Sequence, residues 1–174
     1  MSENSLSFRR TNASDLLRTG LYAGLAGGLA EIMVVWAYSA LTGGDAAIVA
    51  RQVGAAVGLE GASAIAGIAI HLGLAAALGI GLTVALRILA GRTPGDHVLL
   101  GFMAGSLEIV WMVNFFVVLP ALSPGFVHLL PYPVTLASKL LFGLAAALTL
   151  RIRSHRAGLQ AARAPWPQSA AVAD

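Results

Sequence analysis

Four stretches of about twenty or more mostly apolar residues dominate this chain, and each is long enough to cross the hydrocarbon of a bilayer as a helix. They run over residues 20–41, 62–86, 98–122 and 132–150. Three of them carry one formal charge each, Glu31, Glu108 and Lys139, and the fourth carries only a histidine, His71. The rest of the composition agrees. Charged residues make up 11% of the 174 and apolar residues 57%, and the mean hydropathy is +0.80. A soluble domain carries about 25% charge, so this chain has too few polar groups to cover a water-facing surface. The expected fold is all-α: a polytopic membrane protein of four transmembrane helices arranged as two tandem hairpins. Residues 1–19 form a polar cytoplasmic segment, 20–150 the membrane domain, and 151–174 a basic, then Ala- and Pro-rich, tail that frays into solvent. The apolar stretch behind the polar start is too long for a signal peptide, and no small-residue cleavage site follows it.

Orientation comes from arginine. Arg9, Arg10, Arg18, Arg87, Arg92, Arg151, Arg153, Arg156 and Arg163 fall on one side of the spans and only Arg51 on the other. The positive-inside rule then puts both termini in the cytoplasm. The same placement answers the pI near 10: these charges set topology, and nucleic acid is not an expected partner. The first outward loop, 43–61, has Val49, Val53, Ala56 and Val57 at helical spacing, with Arg51 and Gln52 off that face. It reads as a short helix in the outer interface. The second, LPALSPGFVHLLPYP, reads as compact, partly sunk among headgroups and non-helical around its prolines.

The first and third spans share a pattern. Gly24-x-x-x-Gly28-x-x-Glu31-Ile32 recurs as Gly101-x-x-x-Gly105-x-x-Glu108-Ile109, and GLAAAL recurs in the second and fourth spans. A tandem duplication of one hairpin would place the two glutamates at one depth about a pseudo-two-fold axis along the membrane normal. At 100° per residue, Gly20, Gly24, Gly27, Glu31 and Tyr38 share an arc, as do Gly101, Gly105, Glu108 and Met112. Gly67, His71, Ala75 and Leu78 share another, and so do Lys139, Gly143 and Ala146. Small faces let helices approach closely in lipid. Both glutamates are therefore expected to point inward, into a polar cluster of Glu31, His71, Glu108 and Lys139, with Lys139 able to snorkel toward the outer face. Asn114 is expected as an interface amide. His97, His128 and His155 fall at the edges of the spans or beyond them and read as solvated.

Other chemistry is excluded or weakened. With no cysteine, disulfides, thiolate metal sites and cysteine nucleophiles are impossible. A bis-histidine haem lacks a second intramembrane histidine. Glu31, Glu108 and His71 could form a carboxylate–histidine site, but no span has the Glu-x-x-His pair of di-metal bundles, so neither metal nor cofactor is expected. The glycine runs lie inside apolar spans and are not nucleotide loops. Asn12-Ala13-Ser14 fits a glycosylation sequon but faces the cytoplasm.

The stretches GFMAGSLEIVWMVNFFVVLPAL and ASKLLFGLAAAL resemble a group of uncharacterised small bacterial four-helix inner-membrane proteins. That group has a Gly-rich first span, AxxHLxxxxxxG in the second, N[FY]xxxLP ending the third and HLxFG opening the fourth. The matches are residues 24–28, His71-Leu72, Asn114-Phe115 with Leu119-Pro120, and residues 140–143; Lys139 replaces the group's histidine. The resemblance implies the fold and the bacterial inner membrane, and no activity.

Three functions follow as expectations. The first is a non-enzymatic accessory or structural subunit that packs against a membrane-protein partner or its own copies. The second is a small oligomeric proton- or cation-coupled transporter or channel using Glu31 and Glu108. The third is a redox or metal-binding subunit using His71.

Overall fold

The computed structural model describes residues 13–90 and 95–163. Helix α1 spans Ala13–Thr42, α2 Ala46–Ala56, α3 Ala64–Ala90 and α4 Asp96–Val113. A π-helical turn, Asn114–Val118, joins α4 to the short α5, Leu119–Leu122; a 3-10 turn, Phe126–His128, leads into α6, Tyr132–Arg163. Among the described residues, four helices are long and apolar enough to cross a membrane: Ala13–Thr42, Ala64–Ala90, Asp96–Leu122 and Tyr132–Arg156. The protein is an all-α polytopic bundle. Its outer surface carries large apolar residues such as Leu41, Ile65, Ile88 and Leu89, each at least three-quarters exposed. In water this would be an aggregation surface; in a bilayer it is the expected boundary with lipid.

In space the order is α3, α1, α6, α4. Helix α1 packs along both α3 and α6, α4 packs on α6, and α3 and α4 scarcely touch. An exact tandem duplication would make the α1–α6 and α3–α4 contacts equivalent, so the bundle is not two-fold symmetric.

The α1–α3 seam is a glycine seam. A Cβ on Gly20, Gly24 or Gly79 would run into the backbone of the facing helix, and one on Gly28 into the Ala75 methyl. Helix α4 docks differently: its buried residues are Leu99, Met103 and Leu107, and Leu107 lies over Gly143 of α6. These residues join Leu82, Leu86, Phe142, Ala146, Ala147 and Leu150 in one core. That core fills the half of the bundle nearest the arginine-rich end, called here the basic end. There Arg151 Nη2 meets Asp96 Oδ2 at 3.0 Å, and the Arg153 guanidinium lies 4.5 Å over the Tyr22 ring.

At the far end, α1 closes at Gly43, whose φ of +71° suits a residue without Cβ. The Asp45 side chain caps α2 by accepting from the Ala47 N–H at 2.8 Å. The expected interface helix is present over Ala46–Ala56 and lies across the start of α3, its backbone at Ala50 against Gly67.

Two expectations are corrected. Residues 151–163 continue α6 as helix, because Arg, Leu and Ala are good helix formers whether or not lipid surrounds them; residues 164–174 lie outside the described residues. The prolines of the second loop are also partly helical. Pro133 sits in the first turn of α6, where an N–H is not needed, whereas Pro120 lies inside the continuous helical run Asp96–Leu122. The strain of Pro120 is absorbed by the π turn before it, in which the Leu119 N–H bonds to the Asn114 carbonyl.

Candidate functional site

Glu31 is buried at 4% exposure in the wall of α1. Its position follows from the glycines just before it. Gly27 meets the face of the Phe142 ring and Gly28 the Ala75 methyl, so α1 sits close to α6 and α3 at once. One polar residue from each helix then converges. Lys139 Nζ lies 2.5 Å from Glu31 Oε1. His71 Nε2 lies 3.4 Å from Glu31 Oε2, but the geometry is too poor for a hydrogen bond, and this buried nitrogen makes none among the described residues.

Lys139 and His71 are each seven residues into their helices from the far end, about 10 Å down at 1.5 Å per residue. Glu31 is eleven residues from the end of α1, about 16 Å. Lys139 therefore turns inward to Glu31, with its side chain 14% exposed, and does not snorkel. A buried pair of this kind offsets two desolvation costs by mutual attraction and is neutral as a whole.

Above the triad the bundle opens into a chamber of about 1120 Å³. Glu31, His71, Lys139 and Phe142 lie at its base, Val53 and Ala56 of α2 and Phe126 of the 3-10 turn at its far end, and Leu74 and Ile109 on opposite walls. Alpha-2 and the 3-10 turn touch each other across the far end. Leu74 and Ile68 of α3, and Ile109 and Val113 of α4, line the chamber yet remain exposed. Together with the sparse α3–α4 contact, they mark a mouth that opens sideways, on the apolar outer surface. The chamber forms where α4 leans mainly on α6 and barely meets α3.

Glu108 does not join the triad. It is exposed, forms no ion pair among the described residues, and shares its face with Gly101 and Gly105, where an added Cβ would meet nothing within 4 Å among the described residues. The inward expectation failed because α4 turns its large residues, Leu99, Met103 and Leu107, to the core. The small residue that admits them, Gly143, is on α6. Asn114, expected at an interface, lines the chamber, and its side chain carries no hydrogen bond among the described residues. His128 is exposed on the far-end turn, and His97 and His155 are exposed near the basic end.

The sequence reading missed the hydroxyls. Ser39 is buried two turns beyond Glu31, and Thr135 and Ser138 are buried one turn and one residue before Lys139. Helical spacing from the charged residues was a signal that could have found them. Thr135 accepts from the Trp111 indole N–H at 3.0 Å and donates to the Tyr132 carbonyl at 2.9 Å; Ser138 donates to the Thr135 carbonyl at 2.8 Å. Trp111, Phe115, Phe116, Phe126 and Tyr132 pack around this network as a chain of ring contacts. No group of three or more metal-ligating side chains lies together among the described residues. Set against protein-family models, curated proteins and solved structures, the chain matches none.

Proposed function

We propose that this protein is a non-enzymatic component of a bacterial inner-membrane assembly, with both termini cytoplasmic, and that the Gly101–Gly105–Glu108 face of α4 seats a helix of a partner membrane protein. The observation that carries the reading is Glu108, a carboxyl group twelve residues into a 27-residue span, exposed and without an ion pair among the described residues. A charge at that depth costs about 2.5–3.5 kcal/mol on insertion scales. The two open glycines beside it would let another backbone approach and cover it.

The repeated motif supports the idea. We take the two hairpins as descendants of one. In the first copy, the Gly-x-x-x-Gly-x-x-Glu face of α1 receives small residues and the His71 ring from α3 and the Lys139 ammonium from α6. The second copy displays the same face outward, suited to a helix with small residues and a donor such as lysine, histidine or an amide. A second copy of this chain is a poorer fit, because its own Lys139 and His71 are already turned inward. The orientation rests on Arg18, Arg87, Arg151, Arg153 and Arg156 at the basic end against Arg51 at the far end. The separation of the two glutamates weakens a proton or cation path through both.

Purification in mild detergent tests this. The particle should contain a second polypeptide, lost from Gly105→Leu and Glu108→Leu, while Glu108→Gln keeps it because an amide can still bond across helices. Both leucine variants should unfold as the parent does, since a Cβ at position 105 meets nothing within 4 Å among the described residues and position 108 is exposed. A particle of one 17.8 kDa chain, or a homo-oligomer unchanged by these substitutions, overturns the reading.

A further inference from the structure

The chamber belongs to neither the core nor the α4 face, and its shape and chemistry select a ligand. Its mouth opens sideways between α3 and α4, so what enters is dissolved in the bilayer. Its volume, about 1120 Å³, lies just beyond the usual range of small-molecule pockets, about 300–1,000 Å³, and suits a head with an apolar tail. The base already holds one negative and one positive side chain 2.5 Å apart. An anion or cation would add an uncompensated charge in a place of low dielectric, so a neutral head is favoured.

Several side chains at the wall keep hydrogen-bonding capacity that is not used within the described residues, donors among them. Lys139 has three N–H groups and meets only Glu31 among the described residues. The Asn114 amide and the Ser39 hydroxyl line the same space without a side-chain hydrogen bond among the described residues. Apolar ring surface stands nearby in the half-buried Phe126, while Phe115 and Phe142, also in the lining, are almost fully buried. A group that accepts from several donors, is uncharged and sits on a flat apolar body is a ring carbonyl.

We infer that this chamber binds a neutral, lipid-soluble carbonyl compound of the quinone kind, which enters sideways from the bilayer and accepts hydrogen bonds from Lys139, Asn114 and Ser39. The ester carbonyls of a neutral glyceride share this acceptor chemistry and can reach the mouth by the same route.

The test uses the full chain in phosphatidylcholine nanodiscs, with tritiated ubiquinone carrying a two-isoprenoid tail as the probe. Saturable binding of one quinone per chain is expected. Asn114→Leu, which keeps the volume and removes the amide, should weaken it at least fivefold, and Ser39→Ala measurably. The lipid-facing Ile88→Ala should leave it unchanged. Folding of each variant is checked by gel filtration and thermal unfolding. Displacement of the probe by dioleoylglycerol supports the carbonyl site and assigns it to glycerides as well; failure to displace supports it and restricts it to ring carbonyls. Absence of saturable binding, binding undiminished in both Asn114→Leu and Ser39→Ala, or displacement by phosphatidylglycerol and not by unlabelled quinone overturns the inference. None of these results depends on the partner proposed for α4.

Discussion

At the scale of single residues, the Glu31–Lys139 pair shows why a buried charge is judged by what happens when it loses its partner. The intact pair is neutral, and its net contribution is small, because desolvation offsets attraction. Lys139→Met leaves the Glu31 carboxyl buried with only His71 beside it. Breaking one side of such a pair costs about 3–5 kcal/mol, more than the roughly 0.6–2 kcal/mol of an ordinary interhelical polar contact. The expected result is a large loss of stability in Lys139→Met. Most of it should be recovered in Glu31→Gln/Lys139→Met, where neither charge remains. Thermal or denaturant unfolding in detergent measures both. Equal loss in the single and the double variant would show that the pair acts through packing and not through charge. The sequence made Glu31, His71 and Lys139 visible, because charges and a histidine inside apolar spans are rare. It could not show that Glu108 lies apart, because a glutamate beside glycines reads the same whichever way its helix is turned.

At the scale of elements, the same small-residue pattern has two outcomes in one molecule. On α1, Gly20, Gly24 and Gly28 meet α3 backbone or methyl, and the helices approach as closely as the pattern suggested. On α4, a Cβ at Gly101 or Gly105 would meet nothing within 4 Å among the described residues. A glycine stripe shows that a close approach is permitted; the large residues of α4 and the small residues of α6 decided where α4 went. Two matched substitutions express the difference. Gly24→Ala would bring its Cβ against the Ala75 carbonyl and the Ala76 backbone. It should force α1 and α3 apart at a cost of about 1–3 kcal/mol, typical of overpacking. Gly105→Ala should leave the stability of the isolated chain unchanged or slightly raised, since alanine is the better helix former by about 1 kcal/mol. Unfolding of both variants in detergent decides it. Equal destabilisation would mean that α4 turns its glycines inward. The helix ends were less legible than the spans. Hydropathy falls at Leu150, but backbone hydrogen bonding in α6 continues to Arg163, and the π turn before Pro120 is a local backbone adjustment that apolar periodicity does not record.

At the scale of the molecule, the basic half is packed solid and the far half is hollow, and this asymmetry carries the final prediction. The core of Phe142, Met103, Leu107 and their neighbours holds all four spans together near the arginine-rich end. Beyond it α3 and α4 diverge, with only α2 and the 3-10 turn spanning the far end. The chain has no cysteine, so single cysteines report on this arrangement without background. In intact cells, cysteine in place of the exposed Glu60 should react with a membrane-impermeant maleimide, and cysteine in place of the exposed Asp96 only after permeabilisation, as a cytoplasmic basic end requires. The reverse pattern would invert the orientation. Cysteine at Leu74 or Ile109, on the two sides of the mouth, should resist the impermeant reagent in both conditions and react with a lipid-soluble one. Labelling of Leu74→Cys by the impermeant reagent in intact cells would mean that the chamber opens to water through its far end. The proposed lipid route would then give way to an aqueous one, and with it the argument for an apolar ligand. A lateral mouth and a dry far end together predict reaction from the lipid side only.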